Sequence, residues 1–188
     1  QPKWAIMIPA GVVVGLMVGL GITLLLELAD SSIKRPSDIR NQVDLPMLGI
    51  IPHADDLEED VMEVAMAIQT HPDSPMGEAF REIRTRLMFS GPAEQQRSLL
   101  IASPSPEDGR TVVATNLAVT MAQAGSQVLL VDANFRQPKV SKIFEGCGGP
   151  GLSNALVEQS DWRDMIHEVR PNLFVLGAGP LPPNPAEL

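Results

Sequence analysis

The segment from Ser103 to Ala118, SPSPEDGRTVVATNLA, has the residue types of a loop that binds phosphate. Such a loop follows a strand, turns its backbone N–H groups toward the phosphate oxygens, and leads into a helix whose positive end faces the same anion. A basic residue then reaches the terminal phosphates, and a hydroxyl group binds Mg²⁺. Here Gly109, Arg110 and Thr111 follow one another between the apolar run LLIAS and the helical pattern TVVATNLA. This order predicts a nucleotide site.

The same loop departs from the common formula GxxxxGK[ST] at several positions. Pro104 stands where the first glycine belongs, and Arg110 stands where the lysine belongs. Arginine keeps the positive charge, but its planar guanidinium is bulkier than an ammonium group. Glu107 and Asp108 add negative charge, and two like charges about 4 Å apart repel by roughly 4 kcal/mol at an effective dielectric constant of about 20. We therefore expect a loop of the right shape with lowered affinity for phosphate.

The elements around this loop predict an α/β fold with a parallel sheet and flanking helices. Apolar runs that resemble buried strands are RSLLIAS, QVLLVDA and NLFVLGAG, with LPMLGII as a possible fourth. The helix TVVATNLAVTMAQAG lies between the first two and ends at Gly125, and short helical pieces are expected at KVSKIF, GLSNALVE and SDWRDMIHEV. In such a sheet the ligands lie at the carboxyl ends of the strands, where Asp132 follows the second run.

A further helix is predicted for SPMGEAFREIRTRLMFS, residues 74 to 90. Apolar side chains recur at spacings of four, three and four residues, which indicates one buried face: Met76, Phe80, Ile83 and Leu87. Charged side chains recur at spacings of three on another face: Glu78, Arg81 and Arg84. This charged stripe could exchange salt bridges with a neighbouring copy, although such a stripe is more often a solvated surface.

The run from Trp4 to Leu26 has no charged residue and is long enough to cross a bilayer, at roughly 1.5 Å per residue against a core of about 30 Å. A signal peptide and a buried core helix are the alternatives; the first has a shorter apolar region and a cleavage site of small residues. Lys3 precedes the run, whereas three basic residues follow it: Lys34, Arg35 and Arg40. The positive-inside tendency then predicts that the later part of the chain is cytoplasmic.

The overall composition excludes several kinds of site. The formal net charge of -9 makes nucleic acid an improbable partner, because a phosphate-binding surface needs a basic excess. With the single cysteine Cys147, no disulfide can form within the chain. The three histidines are far apart, so a histidine metal site is not indicated. Between the apolar run and residue 74 we expect a linker, with a short helix capped by Ser37 and an acidic stretch, ADDLEEDVMEVAMAI.

These pieces, in this order, resemble the membrane-anchored polysaccharide co-polymerases fused to a bacterial tyrosine autokinase (BY-kinase) domain. The resemblance rests on SSIKRPSDI, LPMLGIIP, EAFREIRTRL, the phosphate loop, VLLVDANFRQP, PGLSNAL and GPLPPNPAEL, and it covers essentially the whole chain. It implies a P-loop NTPase-like fold, ATP and Mg²⁺ as cofactors, and a place in the bacterial inner membrane. It also implies a homo-oligomeric ring, membrane lipid, and polysaccharide export and polymerisation proteins as partners.

Residue by residue, the family's loop reads S-x-x-P-G-E-G-K-S/T, and this chain departs from it at Glu107 and Arg110. The resemblance implies nucleotide contacts by Ser103, Pro106, Glu107, Asp108, Gly109, Arg110, Thr111 and Val112. A second motif, three apolar residues followed by D-x-D-x-R, falls on LLVDANFR, with Asn134 in place of its second aspartate. It implies catalytic roles for Arg110, Asp132, Asn134 and Arg136, with Thr111 and Asp132 as metal ligands. Because an amide is neutral and a poor base, we expect Asn134 to accept no proton from a substrate hydroxyl.

In the family a helix with the same glutamate and two arginines packs between ring subunits, which assigns Glu78, Arg81 and Arg84 to an oligomer interface. The resemblance further implies a transmembrane helix at 1–30, a juxtamembrane linker with a short strand at 31–73, and a kinase-like cytoplasmic domain at 74–188. The family's third motif, D-x-x-P, and its tyrosine cluster have no counterpart here, and the chain contains no tyrosine. We therefore expect an incomplete domain from an internal fragment.

Three interpretations of function follow. The first is a polysaccharide co-polymerase component whose kinase-like domain is impaired in ATP binding and phosphotransfer and acts as an assembly or regulatory module. The alternative is an active ATP-dependent protein-tyrosine autokinase, with Arg110 in the role of lysine. A membrane-associated partitioning-type ATPase shares the fold but normally has no spanning helix.

Overall fold

The structure is a computed structural model, and the chain divides into two compact units, Gln1–Met47 and Leu48–Leu188. It describes residues 3–29, 46–52, 68, 73–91, 98–105, 108–158, 160–182 and 184–185.

The described residues of the first unit form a long helix, α1, Trp4–Ala29. Its stretch Met7–Leu28 has a mean hydropathy of 2.3 and is long and apolar enough to cross a membrane. The side chains of this stretch are exposed, which is unfavourable in water for so many large apolar groups. Within the helix Thr23 donates its hydroxyl hydrogen to the carbonyl oxygen of Gly19 at 2.9 Å, so this polar group needs no partner from outside. The predicted apolar helix is confirmed in its extent.

In the second unit the predicted helix at residues 74–90 forms as α2, Pro75–Met88. It begins at Ser74, whose side-chain oxygen accepts a hydrogen bond from the Gly77 N–H group at 3.1 Å, and Pro75 follows at the first helical position. Its apolar face is buried as the spacing predicted: Met76, Phe80 and Ile83 lie in the core, and Leu87 packs against it.

The helix after the phosphate loop is α3, Arg110–Gln123. Gly109 precedes it with φ at 80°, a left-handed conformation that glycine adopts without steric cost. The six consecutive residues Thr115 to Thr120 are all buried. This part of α3 is therefore enclosed on every side, and it packs against α2 and against the sheet.

In the described part of the chain the sheet has three strands in the order β1, β3, β2: β1 is Val128–Val131, β2 is His167–Arg170 and β3 is Leu173–Leu176. Strands β1 and β3 are parallel, with Val128 opposite Leu173, while β2 runs antiparallel to β3. Leu130 on β1 and both Leu173 and Val175 on β3 are buried in the core. Between β1 and β2 the chain forms α4, Val140–Ile143, α5, Leu152–Val157, and a 3₁₀ helix, Trp162–Met165.

Three local predictions were wrong. Residues 98–103 and 46–52 lie in no strand of the described part of the chain, and Leu99 and Leu100 are exposed. A strand forms only where a neighbouring strand completes its hydrogen bonds, and apolar composition does not provide that neighbour. The segment SDWRDMIHEV, expected to be helical, contains the 3₁₀ helix and then β2, so the sheet is mixed and not all parallel. Pairing with β3 overrides the weak helical pattern of this short segment.

Other predictions fall outside the described residues: the Ser37 cap, nearly all of the acidic stretch ADDLEEDVMEVAMAI, and the loop residues Pro106 and Glu107. The domain limits at residues 30 and 73 stay predictions.

Phe80 gives a direct test of the packing between α2 and the core, because its side chain is 0% exposed. We expect Phe80→Ala to lower the free energy of unfolding by about 3–5 kcal/mol, through lost apolar burial and the cavity that remains. Urea unfolding followed by circular dichroism measures the change. Phe89→Ala is the matched control, because Phe89 is 86% exposed at the end of the same helix. Equal losses in the two variants would contradict this packing.

Candidate functional site

The described part of the predicted phosphate loop is held by its own polar side chains. Ser103 donates its hydroxyl hydrogen to the carbonyl oxygen of Ser105 at 2.8 Å. The Asp108 carboxylate accepts a hydrogen bond from the Ser105 N–H group, also at 2.8 Å. Asp108 is thus bound to the beginning of the loop, and its charge is partly neutralised by a backbone donor. Of the two acids that the sequence places in the loop, this one is engaged by the loop itself.

Within the described residues, the amino terminus of α3, which follows Gly109, has no side-chain cap and no acid in its first turn. The first amide N–H groups of a helix have no partner within the helix, and together with the helix dipole they attract an anion. Arg110 is exposed at the first helical position, and Thr111 beside it is half-buried. This end of α3 therefore presents backbone donors, one guanidinium and one hydroxyl to an approaching anion.

Asp132 directly follows β1 and is 6% exposed. Its Oδ1 atom accepts a hydrogen bond from the Asn134 N–H group at 3.0 Å, and its Oδ2 atom accepts from the N–H groups of Lys139 and Val140, both at 3.1 Å. A carboxylate offers about four acceptor positions, so one position on Oδ1 is left for another donor or a hydrated cation. Asp132 therefore fixes the segment from residue 133 to the start of α4, and keeps limited capacity for a ligand.

Asn134 forms part of the same turn. Its side-chain oxygen accepts a hydrogen bond from the Gln137 N–H group at 3.2 Å, and both Asn134 and Arg136 are exposed. The side chain that replaces the family's second aspartate thus retains the acceptor that shapes the turn. What it lacks is a negative charge and the ability to take up a proton.

The loop and Asp132 lie at the same end of the α/β unit. Helix α3 and strand β1 pack against each other and are joined by the short segment from Ala124 to Gln127, so they run in opposite directions. The amino end of α3 and the carboxyl end of β1 consequently point the same way. Within the described residues, hydrogen bonds connect members of each group but none joins the loop to Asp132. The tertiary structure thus brings two of the predicted motifs to one edge, as the α/β rule predicts.

A cavity of about 360 Å³ lies beyond the carboxyl end of β3, and sequence reasoning did not predict it. Ser141 of α4 forms part of its wall, and the rest comes from two segments, residues 147–154 and 179–180. Hydrogen bonds hold these two parts of the chain together, because Leu152 and Ser153 donate their N–H groups to the carbonyl oxygens of Gly177 and Ala178. The Ser153 hydroxyl also donates to the Pro180 carbonyl oxygen at 2.8 Å. The motifs PGLSNAL and GPLPP were visible in the sequence, but nothing in either one indicates that they meet.

Cys147 lines this cavity and is 3% exposed. Burial raises the pKa of its thiol above the ordinary value, so the thiol stays protonated at neutral pH. A protonated buried thiol is a poor nucleophile. Cys147 is thus a packing residue.

The charged stripe of α2 separates into two parts. Arg81 donates to Glu78 at 2.6 Å on the surface of the helix. The hydrogen bond from Arg81, and then its charge, lower the pKa of the Glu78 carboxyl. Arg84 instead donates through Nη1 to the Thr120 carbonyl oxygen in α3, at 3.2 Å. The three residues that the sequence assigned to one interface therefore face different surroundings.

Comparison with known proteins places these features in a family. No family model matches the chain. The tyrosine-protein kinase YwqD of Bacillus subtilis is 38% identical over 128 residues, which are 68% of this chain. The tyrosine-protein kinase Ptk of Acinetobacter johnsonii is 29% identical over 194 residues and matches 100% of this chain. The solved BceF tyrosine kinase domain is 30% identical, with a TM-score of 0.71 over 82% of this chain. The chain belongs to the bacterial tyrosine autokinase family.

This BY-kinase chain spans only part of its relatives. It covers 54% of YwqD, 26% of Ptk and 66% of the BceF kinase domain. The predicted family and its P-loop NTPase-like fold are confirmed. The roles of the individual site residues stay predictions.

The hydrogen bonds of Asp132 predict a stability effect. In Asp132→Asn the shape is kept, but an NH₂ group replaces one acceptor oxygen, so at least one backbone N–H group loses its bond. We expect the free energy of unfolding to fall by about 1–3 kcal/mol. The asparagine oxygen can keep the bonds from Lys139 and Val140 or the bond from Asn134, but not all three, so either the Asn134 amide hydrogen or those of Lys139 and Val140 should exchange faster. Denaturant unfolding and hydrogen exchange measure the two effects. Asp164→Asn is the control, because Asp164 is exposed. If Asp132→Asn were as stable as Asp164→Asn, the hydrogen bonds of Asp132 would not stabilise the fold.

The ion pair on α2 predicts a change in a pKa. Because Arg81 lowers the pKa of Glu78, Arg81→Met should raise it toward the ordinary glutamate value. The pair contributes to stability above the unfolded-state pKa of Glu78, and this contribution is lost as the pH falls through the lowered folded-state pKa. A carbon-13 NMR titration of the Glu78 carboxyl measures the shift. Arg86→Met is the control, because Arg86 pairs with Glu82 and not with Glu78. If the pKa of Glu78 changed in Arg86→Met but not in Arg81→Met, the assignment of the ion pair would be wrong.

Proposed function

We propose that this chain is part of an inner-membrane protein of bacterial exopolysaccharide or capsule synthesis and export. In this proposal its BY-kinase-like domain has weakened ATP binding and phosphotransfer, and it acts as an assembly or regulatory module. Helix α1 serves as the membrane anchor, and the residues beyond it lie in the cytoplasm. Its family membership and the extent of α1 support this proposal.

The observation that most supports nucleotide binding is the uncapped amino terminus of α3. A left-handed glycine leads into a helix whose first turn has no side-chain cap and no acid. This is the environment in which a phosphate group is stabilised by backbone N–H groups and by the helix dipole. A helix that binds no ligand at its amino terminus usually has a serine, threonine, asparagine or aspartate at the N-cap position.

Some of the groups needed to bind ATP and Mg²⁺ are present in this site. The backbone of Gly109 to Val112 would hold phosphate oxygens, with Arg110 as the cationic partner. The Thr111 hydroxyl and the remaining acceptor position on Asp132 Oδ1 would hold the metal ion or its water. When bound, ATP supplies the phosphoryl group that a kinase transfers. The chain's own residues contribute positioning and charge.

Three substitutions support the weakened state. Arg110 keeps charge but not the compact ammonium group of lysine, and Glu107 adds negative charge to the loop. Asn134 keeps its hydrogen bond to Gln137 but offers no carboxylate to receive a proton. Each change affects a different step: Arg110 affects neutralisation of the phosphate charge, Glu107 affects entry of the phosphate, and Asn134 affects removal of the proton from the substrate hydroxyl.

An active autokinase is the second candidate, and one observation favours it. The Asp108 carboxylate is bound to the Ser105 N–H group, so one of the two loop acids is already engaged within the loop. The repulsion expected from the sequence is then smaller than two free carboxylates would produce. In this candidate the acceptor tyrosine comes from outside these residues, because the chain has none.

The proposed partners follow from the surface and the family. The Glu78–Arg81 pair lies on the surface of α2 and is available for exchange with a second copy, in a homo-oligomeric ring. The prediction that Arg84 belongs to the same interface stays a prediction. The other proposed partners are membrane lipid around α1 and the proteins of polysaccharide polymerisation and export.

Restoring the family residues tests the weakened site. We expect Glu107→Gly, Arg110→Lys and Asn134→Asp together to raise the affinity for Mg·ATP by about ten-fold or more, since each 1.4 kcal/mol is a factor of ten. Isothermal titration calorimetry on the chain in detergent micelles measures the affinity. The same triple change with Thr111→Ala is the control and should lose the gain. No gain in the triple variant would show that these residues do not limit binding.

The unmodified chain separates the two candidates in the same assay. Micromolar affinity for Mg·ATP that disappears in Thr111→Ala would support the active kinase and reject the weakened module. Affinity weaker than millimolar would support the module.

A further inference from the structure

The cavity of about 360 Å³ beyond the carboxyl end of β3 lies next to Asp132, and the function proposed above gives it no role. The Asp132 N–H group donates to the carbonyl oxygen of Leu176, the last residue of β3, at 3.0 Å. The Asp132 carboxylate accepts from the N–H group of Val140 at 3.1 Å, and the next residue, Ser141, lines the cavity. The cavity therefore adjoins the edge of the sheet where the predicted site lies.

Close contact between two glycine-containing segments fixes the walls of this cavity. A Cβ atom added to Gly151 would overlap the carbonyl oxygen of Gly177, and one added to Gly177 would lie 2.8 Å from the carbonyl oxygen of Cys147. Glycine allows two backbones to approach in this way, and any larger residue would force them apart. Gly179 has φ at 79°, which also favours glycine. The separation of the walls is thus set by the backbone itself.

The lining of the cavity indicates the chemical class of its ligand. Among the described residues, the eight that line it include three glycines and two prolines, but no charged side chain and no aromatic ring. The lining therefore offers no partner for a charge on a ligand and no stacking surface for a nucleobase or a sugar ring. A ligand that fits this cavity is uncharged and does not depend on stacking.

The cavity instead offers main-chain hydrogen-bonding groups. The N–H groups of Gly148 and Gly149 have no hydrogen-bond partner among the described residues, and both glycines are exposed. A Cβ atom added to either glycine would meet no atom within 4 Å, so another chain has room to approach this backbone. Pro150 and Pro180 add apolar surface beside these donors. Main-chain donors with small pockets beside them are what holds an extended protein segment.

We propose that this cavity binds an extended protein segment with small, uncharged side chains, through the main-chain groups of Gly148 and Gly149. Because the cavity adjoins Asp132, the bound segment is the one that brings the acceptor hydroxyl to the edge of the sheet. This last statement rests on the function proposed above, whereas the binding itself does not. Since Glu107, Arg110 and Asn134 are not among the lining residues, a domain with weakened phosphotransfer keeps this surface.

The test is an NMR titration of the intact chain in detergent micelles, without nucleotide, with the end-blocked peptide glycine-alanine-tyrosine-alanine-glycine. The amide signals of Gly148 and Gly149 report binding. Gly149→Leu fills the cavity, and the open space around Gly149 allows this variant to fold. Ala124→Leu is the matched control, because it adds similar bulk at an exposed position that does not line the cavity. A second peptide has lysine in place of both alanines.

We expect the neutral peptide to shift the amide signals of Gly148 and Gly149. In Gly149→Leu its affinity should fall by about ten-fold or more, because the leucine side chain occupies the space of the segment. Ala124→Leu should keep the wild-type affinity within about two-fold. The lysine peptide should bind the wild type roughly five-fold more weakly than the neutral one, because its charges have no partner in the cavity.

The proposal is overturned if Gly149→Leu binds the neutral peptide as tightly as the wild type does. It is also overturned if the lysine peptide binds more tightly than the neutral one, since attraction to the net charge of -9 would then explain the binding. If the neutral peptide leaves both glycine signals unmoved while Mg·ATP shifts them, the cavity belongs to the nucleotide site and the proposal is wrong. If the chain binds the peptide but no Mg·ATP, the proposed nucleotide function fails and the cavity proposal stands.

Discussion

The enclosure of α3 is the constraint on which the rest of this structure depends. Residues Thr115 to Thr120 are buried on all sides of the helix, between α2 and the sheet, yet three of the six are polar. A buried polar side chain without a partner destabilises a protein, so these groups must be bound locally or by neighbours. Asn116 and Thr120 satisfy this requirement along the helix, while Thr115 leaves its hydroxyl without a partner in the described residues. Helix α3 is thereby fixed along its length and leaves its amino end open.

A fixed helix with an open positive end is what a phosphate site needs. The described residues of the loop before it are linked to one another, because Ser103 donates to the Ser105 carbonyl oxygen and the Ser105 N–H group donates to Asp108. At the neighbouring strand Asp132 uses one buried carboxylate to hold three backbone N–H groups. Hydrogen bonds therefore hold the described residues of both motifs in place, which reduces the entropy cost of binding a ligand. Weakened affinity, in the function proposed here, comes from charge and side-chain size.

The charges of α2 show how one regular pattern meets two kinds of hydrogen-bond partner. Residues three apart on a helix advance by about 300°, so a stripe at this spacing drifts around the helix. Glu78 and Arg81 remain on the solvent side, where their ion pair is exposed and contributes little to stability. One step further along the stripe, Arg84 donates to the Thr120 carbonyl oxygen of α3.

The amino-acid sequence alone determined the elements that depend on local pattern. The apolar run of α1, the apolar face of α2, the glycine turn into α3 and the position of Asp132 after a strand all follow from spacing, composition and turn chemistry, because neighbouring residues set these features. The sequence did not determine the burial of that strand: Leu130 is buried, but Leu129 and Val131 are exposed. The tertiary structure decided what depends on pairing. It placed β2 antiparallel to β3 in a segment expected to be helical, and it left residues 98–103 outside the sheet. It also joined the segments around Ser153 and Pro180 and directed Arg84 to Thr120. Such contacts join residues far apart in the chain, and a local pattern contains no information about which distant backbone or side chain will be adjacent.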